Sequence, residues 1–346
     1  MKTSTSKRLR WNVAIWLAAG LFMTSTAGMA AGPILPDPKA EARHQPQVEE
    51  TANGIPLVNI TAPSSGGVSR NEYEMFNVPD KGAILNNSYT LSKTELAGYV
   101  PGNNNMAERP AKIIVNEVTG AGSTSMDGFL EVAGNRADVV IANPNGITVN
   151  GGGFINTGKA FLTTGKPVYD GEDHLQRFDI TGGDILIEGK GLGGKETGSL
   201  AILSRAVKIN AGIWAKDLHI TTGANSIDAK TLEASAIEGK GGHPAFALDT
   251  AAIGGMYAGR ITLVGTEKGL GVNNSGTWSA EDNLTLDWNG DLKNSGTIYS
   301  KGNTDLRANY LENDKTIAAE RNLSAAAKEN IHNQGKLLAG ENKIGR

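Results

Sequence analysis

The sequence predicts an all-β chain wound as a solenoid of stacked strands, and three observations carry that reading. Between Ala111 and Thr164, short apolar or β-branched runs (Ile113–Val115, Val139–Ile141, Ile147–Val149, Ala160–Thr163) are separated by Asn/Gly turns every 5–10 residues. That rhythm is too short for helices. After Gly271 an Asn-marked unit recurs: Asn274, Asn294, Asn313 and Asn333 lie 20, 19 and 20 residues apart, and Asn283, Asn303, Asn322 and Asn342 keep the same spacings. Such a period is the signature of stacked repeats. Glycine is abundant, 45 of 346 residues, and aromatics make up only 5%, which suits turn-rich coils around a narrow interior rather than a wide core.

The N-terminus reads as a signal peptide over residues 1–30. Lys2, Lys7, Arg8 and Arg10 form a positive region, Trp11–Met23 an apolar one, and Gly28 and Ala30 stand at the −3 and −1 positions of a cleavage site. The apolar run is too short to span a bilayer comfortably, so the chain is expected to be exported. Removing this segment takes four of the 33 basic residues and none of the 36 acidic ones, leaving a formal charge of −7. An acidic chain is a poor partner for nucleic acid. Cysteine is absent, although an oxidising compartment permits disulfides.

Residues 31–53 are Pro-, Ala- and charge-rich and are expected to form a flexible leader that also caps one end of the coil. Strand candidates follow at Pro56–Ile60, Tyr73–Val78 and Gly82–Leu85, then a long loop over 92–110 containing Asn103, Asn104 and Asn105. Beyond Gly165 come an insertion-like loop, Lys166–Arg177, and strands Phe178–Thr181, Asp184–Glu188, Leu200–Leu203, Ala206–Ile209, Leu218–Thr221 and Ser226–Ile227. Residues 235–259 carry little pattern. Thr316–Lys328 is Ala-rich and helix-prone by composition, but its register matches the other repeats and assigns it to strands. Stacking at about 4.8 Å places like side chains over like, so the repeat Asn residues should bond into a ladder. At about 20 residues per turn the mature chain would make roughly 15 turns, a rod near 70 Å long.

Chemistry-bearing clusters are few. Gly189–Glu196 satisfies a glycine-rich nucleotide pattern, but Thr197–Gly198 interrupts the helix such a site needs. Asp170, Glu172, Asp173 and His174 are neighbours in sequence and are read as a solvated loop, since adjacent side chains in extended chain point apart. The five His are scattered without metal-ligand spacing. No catalytic residue, metal or cofactor is expected.

From about Gly67 to Ala224 the chain resembles the N-terminal secretion domain of two-partner secretion exoproteins, the filamentous haemagglutinin family of adhesins, haemolysins and contact-dependent inhibition toxins. The residues that carry the resemblance are Ser69–Val78 (SRNEYEMFNV), Ile114–Val118 (IVNEV), Gly128–Gly134 (GFLEVAG), Val140–Ile147 (VIANPNGI), Gly153–Thr157 (GFINT), Ala201–Ala206 (AILSRA) and Ile213–Asp217 (IWAKD). It implies a right-handed parallel β-helix with small extra-helical strands and loops, with a secretion domain over 54–260 and haemagglutinin-type repeats from 261 to 346. It also implies export across a Gram-negative outer membrane to the cell surface. The partner would be a β-barrel transporter whose periplasmic, POTRA-type domains recognise the domain, and a downstream region would meet a host or neighbouring-cell receptor. Two Asn turns mark the family. Asn143, Pro144, Asn145 and Gly146 match the second in full, whereas Asn103–Met106 matches the first with Asn104 in place of Pro and Met106 in place of Leu. The cysteine pair some relatives carry is replaced by Val149 and Gly152. Rival expectations are a β-helix polysaccharide-degrading enzyme, or the delivery stalk of a contact-dependent inhibition toxin.

Overall fold

The structure, a computed structural model, describes residues 32–107 and 109–345; the proposed signal peptide lies outside them. The chain from Gly32 onward is a parallel β-helix whose coils present three strands each, one per face. On the first face eleven strands stack in parallel register, from Pro56–Asn59 through Ala83–Asn87 and Phe129–Gly134 to Thr316–Ala319 and Lys336–Ala339. The second face runs from Val68–Phe76 through Ile113–Val118 and Ala137–Ala142 to Lys343–Gly345. The third starts at Thr124–Met126 and continues through Ile147–Val149 and Asp184–Ile187.

Alternation within each strand sorts side chains to two sides. Thr277–Ala280 shows the pattern: Trp278 and Ala280 are buried and Thr277 and Ser279 half-exposed. Inward residues stack rung on rung, so Ile213, Met256, Trp278, Ile298 and Ile317 form one continuous apolar column. Burial of each large side chain contributes about 1.5–3 kcal/mol. The Ala-rich segment is strand, Thr316–Ala319 and Leu323–Asn333, because the column above it dictates the conformation that local propensity alone would not.

The rod is shorter than 15 turns would make it. Eleven rungs span about 48 Å, because three coils carry insertions: the first-face partners Ile84 and Glu131, Gly153 and Gly193, and Trp214 and Tyr257 lie 47, 40 and 43 residues apart. The first insertion holds a hairpin, Ser92–Thr94 with Gly98–Val100, where the sequence suggested only loop. The other two supply Lys166–Tyr169, Leu175–Ile180, Asn225–Asp228 and Ala234–Ala236, which join as a four-stranded antiparallel sheet. That sheet lies on the outside of the second face. Phe178, Ile180 and Ile227 pack on Val140, Phe161, Ala201 and Leu203 in a second apolar core.

The stretch expected as a flexible leader over 31–53 is, from Gly32 onward, part of the fold. Ile34–Pro36 pairs antiparallel with Tyr73–Phe76, and Gln47–Glu50 pairs antiparallel with the first-face strand Pro56–Asn59. Its composition hid this. An unpaired first rung would expose a strand edge, and Gln47–Glu50 closes it, turning back at Gly54 with φ +75°.

Candidate functional site

The two Asn turns use one device twice. Asn143 is fully buried at a corner of the coil; its Oδ1 accepts from Asn145 N at 2.9 Å, and its Nδ2 donates to Gly122 O at 2.9 Å and Thr124 Oγ1 at 3.0 Å. Asn145 Nδ2 donates to Gly120 O at 2.8 Å. Gly146 N closes the turn on Asn143 O at 3.1 Å. Gly146 has φ +110°, and a Cβ there would meet Asp184 O at 3.0 Å, so glycine is required. Pro144 is exposed at the apex.

Asn103–Met106 repeats this despite its sequence departure. Asn103 is buried, accepts from Asn105 N at 2.9 Å, and donates from Nδ2 to Ile60 O and Asn86 O, both at 2.9 Å. Asn105 Nδ2 reaches the same Ile60 O at 3.1 Å. Met106 is buried and Asn104 exposed. The two Asn at i and i+2 carry the bonds in both turns, so Asn104 can replace Pro without loss of any of them. In each turn the amides tie the corner to the backbone of an earlier segment.

The repeat Asn residues bond along the axis. Asn274 donates to Asn294, Asn294 to Asn313 and Asn313 to Asn333, each Nδ2 to Oδ1 at 2.7 Å, with Asn274, Asn294 and Asn313 fully buried. The second series stacks at the surface, Asn322 Nδ2 on Asn303 Oδ1 at 2.9 Å and Asn342 Nδ2 on Asn322 Oδ1 at 3.0 Å.

One cluster was not foreseen. Asp173 does converge with distant charges, contrary to the reading of its segment as a solvated loop. It lies 2.9 Å from Arg43 Nη1, 3.4 Å from His44 Nε2 and 3.7 Å from Arg70 Nη1. The other ring nitrogen of His44 is 3.1 Å from Glu72 Oε1, which also takes Arg70 Nη2 at 2.8 Å. Arg70 sits 4.3 Å from the centroid of the Tyr169 ring and 3.5 Å from Glu117 Oε2. Burial raises the Glu117 carboxyl above its ordinary range, with Arg70 opposing, and pushes the Tyr169 phenol well up. The cluster clasps the N-terminal cap, the second face and the outer sheet together. Arg70 and Glu72 at alternate strand positions were its one visible signal. Asp170, by contrast, serves its own hairpin, accepting from the backbone N–H of Glu172 and His174, which lowers its carboxyl. Gly189–Gly194 forms a turn and the short strand Leu192–Gly194, with no helix following.

Comparison with known proteins supplies the family. The TPS secretion domain description matches residues 33–299. A crystal structure of the filamentous haemagglutinin secretion domain superposes with a TM-score of 0.70 at 30% identity, covering 91% of this chain and all of that one. The chain is 42% identical over 298 residues to a protein named toxin CdiA of Yersinia pestis, covering 80% of this chain and 9% of that one. It is 44% identical over 280 residues to the 16S rRNA endonuclease CdiA of Enterobacter cloacae, covering 80% and 8%, and 41% identical over 347 residues to a toxin CdiA of Escherichia coli, covering 92% and 11%. It thus spans about a tenth of the length of these relatives. With the parallel β-helix and the match across residues 33–299, the chain belongs to the two-partner secretion family and carries its secretion domain.

Proposed function

We propose that this chain is the N-terminal export module of a larger exoprotein, delivered to the periplasm by residues 1–30 and passed to a cognate outer-membrane β-barrel transporter with POTRA-type domains. The observation that carries this reading is the family match over 33–299 joined to the paired Asn turns. In this reading residues 54–260 are the recognised unit, 261–346 begin the repeat shaft, and the segment itself performs no catalysis. The coil nucleates folding at the cell surface, where each completed rung releases burial and hydrogen-bond free energy.

The relatives' names favour a toxin's delivery stalk over an adhesin or haemagglutinin for whatever lies downstream, since the three described above are named toxins or an endonuclease. The polysaccharide-degrading alternative has no support of that kind.

The test is export in the presence and absence of the transporter. Deletion of that partner should hold the chain in the periplasm. Asn143→Ala and Asn145→Ala should lower the surface-exposed fraction, Asn143→Ala more, because it strips three bonds from a buried corner and destabilises the fold by about 3 kcal/mol. Undiminished export by both variants would refute the importance of this turn.

A further inference from the structure

The three faces of the coil differ in what they show to solvent. The third face carries charge on its outward row, with Lys208, Asp249, Lys293 and Glu312 on four of five successive rungs and Asn273 on the rung between Asp249 and Lys293. The second is covered by the outer sheet in its middle rungs. The first face is different. Its outward row begins at Phe129, passes Trp214, Tyr257 and Tyr299, and ends at Leu338, with glycine, serine or alanine on every rung between. A parallel row beside it holds Gly212, Gly255, Thr277, Thr297 and Thr316 before the first charge, Lys336.

The aromatic rings lie back over glycines. A Cβ on Gly153 would fall 2.4 Å from the Phe129 ring, one on Gly212 2.5 Å from Trp214, and one on Gly255 2.8 Å from the Tyr257 hydroxyl. Any larger residue at these places would prop the rings off the sheet. Trp214 and Tyr257 are near-parallel, 17° apart with centroids at 6.1 Å, and Phe129 and Tyr257 are 42% and 39% exposed. Beside this pair is an open hollow of about 580 Å³, bordered by Lys195, Lys216, Ser279 and Glu281. Glu281 is itself paired with Lys301.

We infer that this face binds an extended, uncharged saccharide chain lying along the axis of the coil. Flat aromatic rings take the C–H face of a pyranose, and the threonine and serine hydroxyls beside them give and accept the hydrogen bonds that sugar hydroxyls need. A purely apolar protein partner would leave those hydroxyls unpaired. A β-1,4-linked pyranose chain advances by somewhat more per sugar than the ~4.8 Å between rungs, so two neighbouring sugars can lie over the neighbouring rungs of Trp214 and Tyr257. The two rows themselves carry no charge over these rungs, so a neutral sugar chain meets only rings and hydroxyls there, while Lys195 and Lys216 stand at the border of the hollow. Binding here is independent of the export reading and involves no bond cleavage.

The experiment titrates the purified chain with cellohexaose and with the β-1,4-linked hexamer of N-acetylglucosamine, following heat and tryptophan fluorescence, with hexagalacturonate as the charged control. At least one neutral hexamer should bind with a Kd below the millimolar range. The Trp214→Ala, Tyr257→Ala double variant should bind at least tenfold more weakly. Ser279→Arg, half-exposed on the outward row between Tyr257 and Tyr299, should do the same with an unchanged circular dichroism spectrum and thermal midpoint. The proposal is overturned if neither neutral hexamer binds, if hexagalacturonate binds as tightly, or if both variants bind like the parent. It is equally overturned if sedimentation shows a dimer of the chain that Ser279→Arg abolishes, since the face would then serve a second copy.

Discussion

His219 stands on the outer side of the second face, in register between Ala201 and Thr262, with Nε2 2.8 Å from Thr221 Oγ1. Burial pushes its imidazole down to about 4 from an ordinary 6.5. Between those values the unfolded chain takes up a proton that the folded one refuses. The stability tied to the neutral ring is therefore complete above pH 6.5 and is lost as the pH falls toward 4. At pH 4.5 the loss is about 2.5 kcal/mol relative to neutral pH. Urea midpoints at pH 7.5 and 4.5 should show His219→Gln losing less stability than the parent by about that amount; equal losses would remove His219 from the account. Residues like this one were not legible in the sequence, since a lone His on a strand says nothing about which sheet will cover it. The Asn turns were legible, because an Asn–x–Asn corner signals its own hydrogen bonds. The Arg43–His44–Arg70–Asp173 cluster was not, because it draws on three separate segments and only the fold brings them together.

At the level of elements, the ladder of Asn274, Asn294, Asn313 and Asn333 separates interior from terminal positions. Asn294 both accepts from Asn274 and donates to Asn313, whereas Asn333 accepts from Asn313 and donates to Gly335 O at 3.2 Å, exposed to water. Asn294→Ala leaves two buried amides short of a partner and should lower stability by about 3 kcal/mol, against about 1 kcal/mol or less for Asn333→Ala. Denaturant titration of the two variants checks the contrast, and equal effects would show that the ladder adds nothing beyond local turn formation. The repeat strands could be read in advance because two Asn registers fixed them. The insertions could not: Lys166–Tyr169 and Ser92–Thr94 are short, partly charged strands, and their pairing partners give them the only reason to be extended. Residues 235–259 looked featureless, yet they include Phe246–Thr250 and the start of Gly255–Gly265, whose glycines make room for neighbouring rings and backbone.

For the molecule as a whole, a solenoid is held by contacts between adjacent coils, so its ends matter more than their size suggests. Removing residues 32–53 would delete the antiparallel strand Gln47–Glu50, uncover the edge of Pro56–Asn59 and take away the buried side chains of Ile34 and His44. The truncated chain should aggregate during refolding or fail to refold, whereas ending the chain after Ser300, which removes two rungs from the first face, three from the second and two from the third, should leave a soluble, cooperatively unfolding rod. Size-exclusion chromatography and circular dichroism of the two truncations decide it; a soluble, folded chain lacking residues 32–53 would show that the cap is dispensable. The all-β coil was legible at this scale, because turn rhythm and repeat period agree. Its length was not, because the insertions consume chain without adding height.

The interval between stacked partners has a kinetic meaning. From Ser279 onward a strand meets its neighbour only 19 or 20 residues later, Ser279 with Tyr299, Tyr299 with Ala318, and Ala318 with Leu338. A chain threaded through a channel from its N-terminus therefore needs about 66 Å of newly emerged polypeptide to lock one more layer, and backward slippage is limited to that unlocked length. The early interval from Ile84 to Glu131 is 47 residues, more than twice as long a stride. Under the proposed export, progress would be slowest and most reversible near the start, and would become short-stepped and hard to undo once the uniform repeats begin.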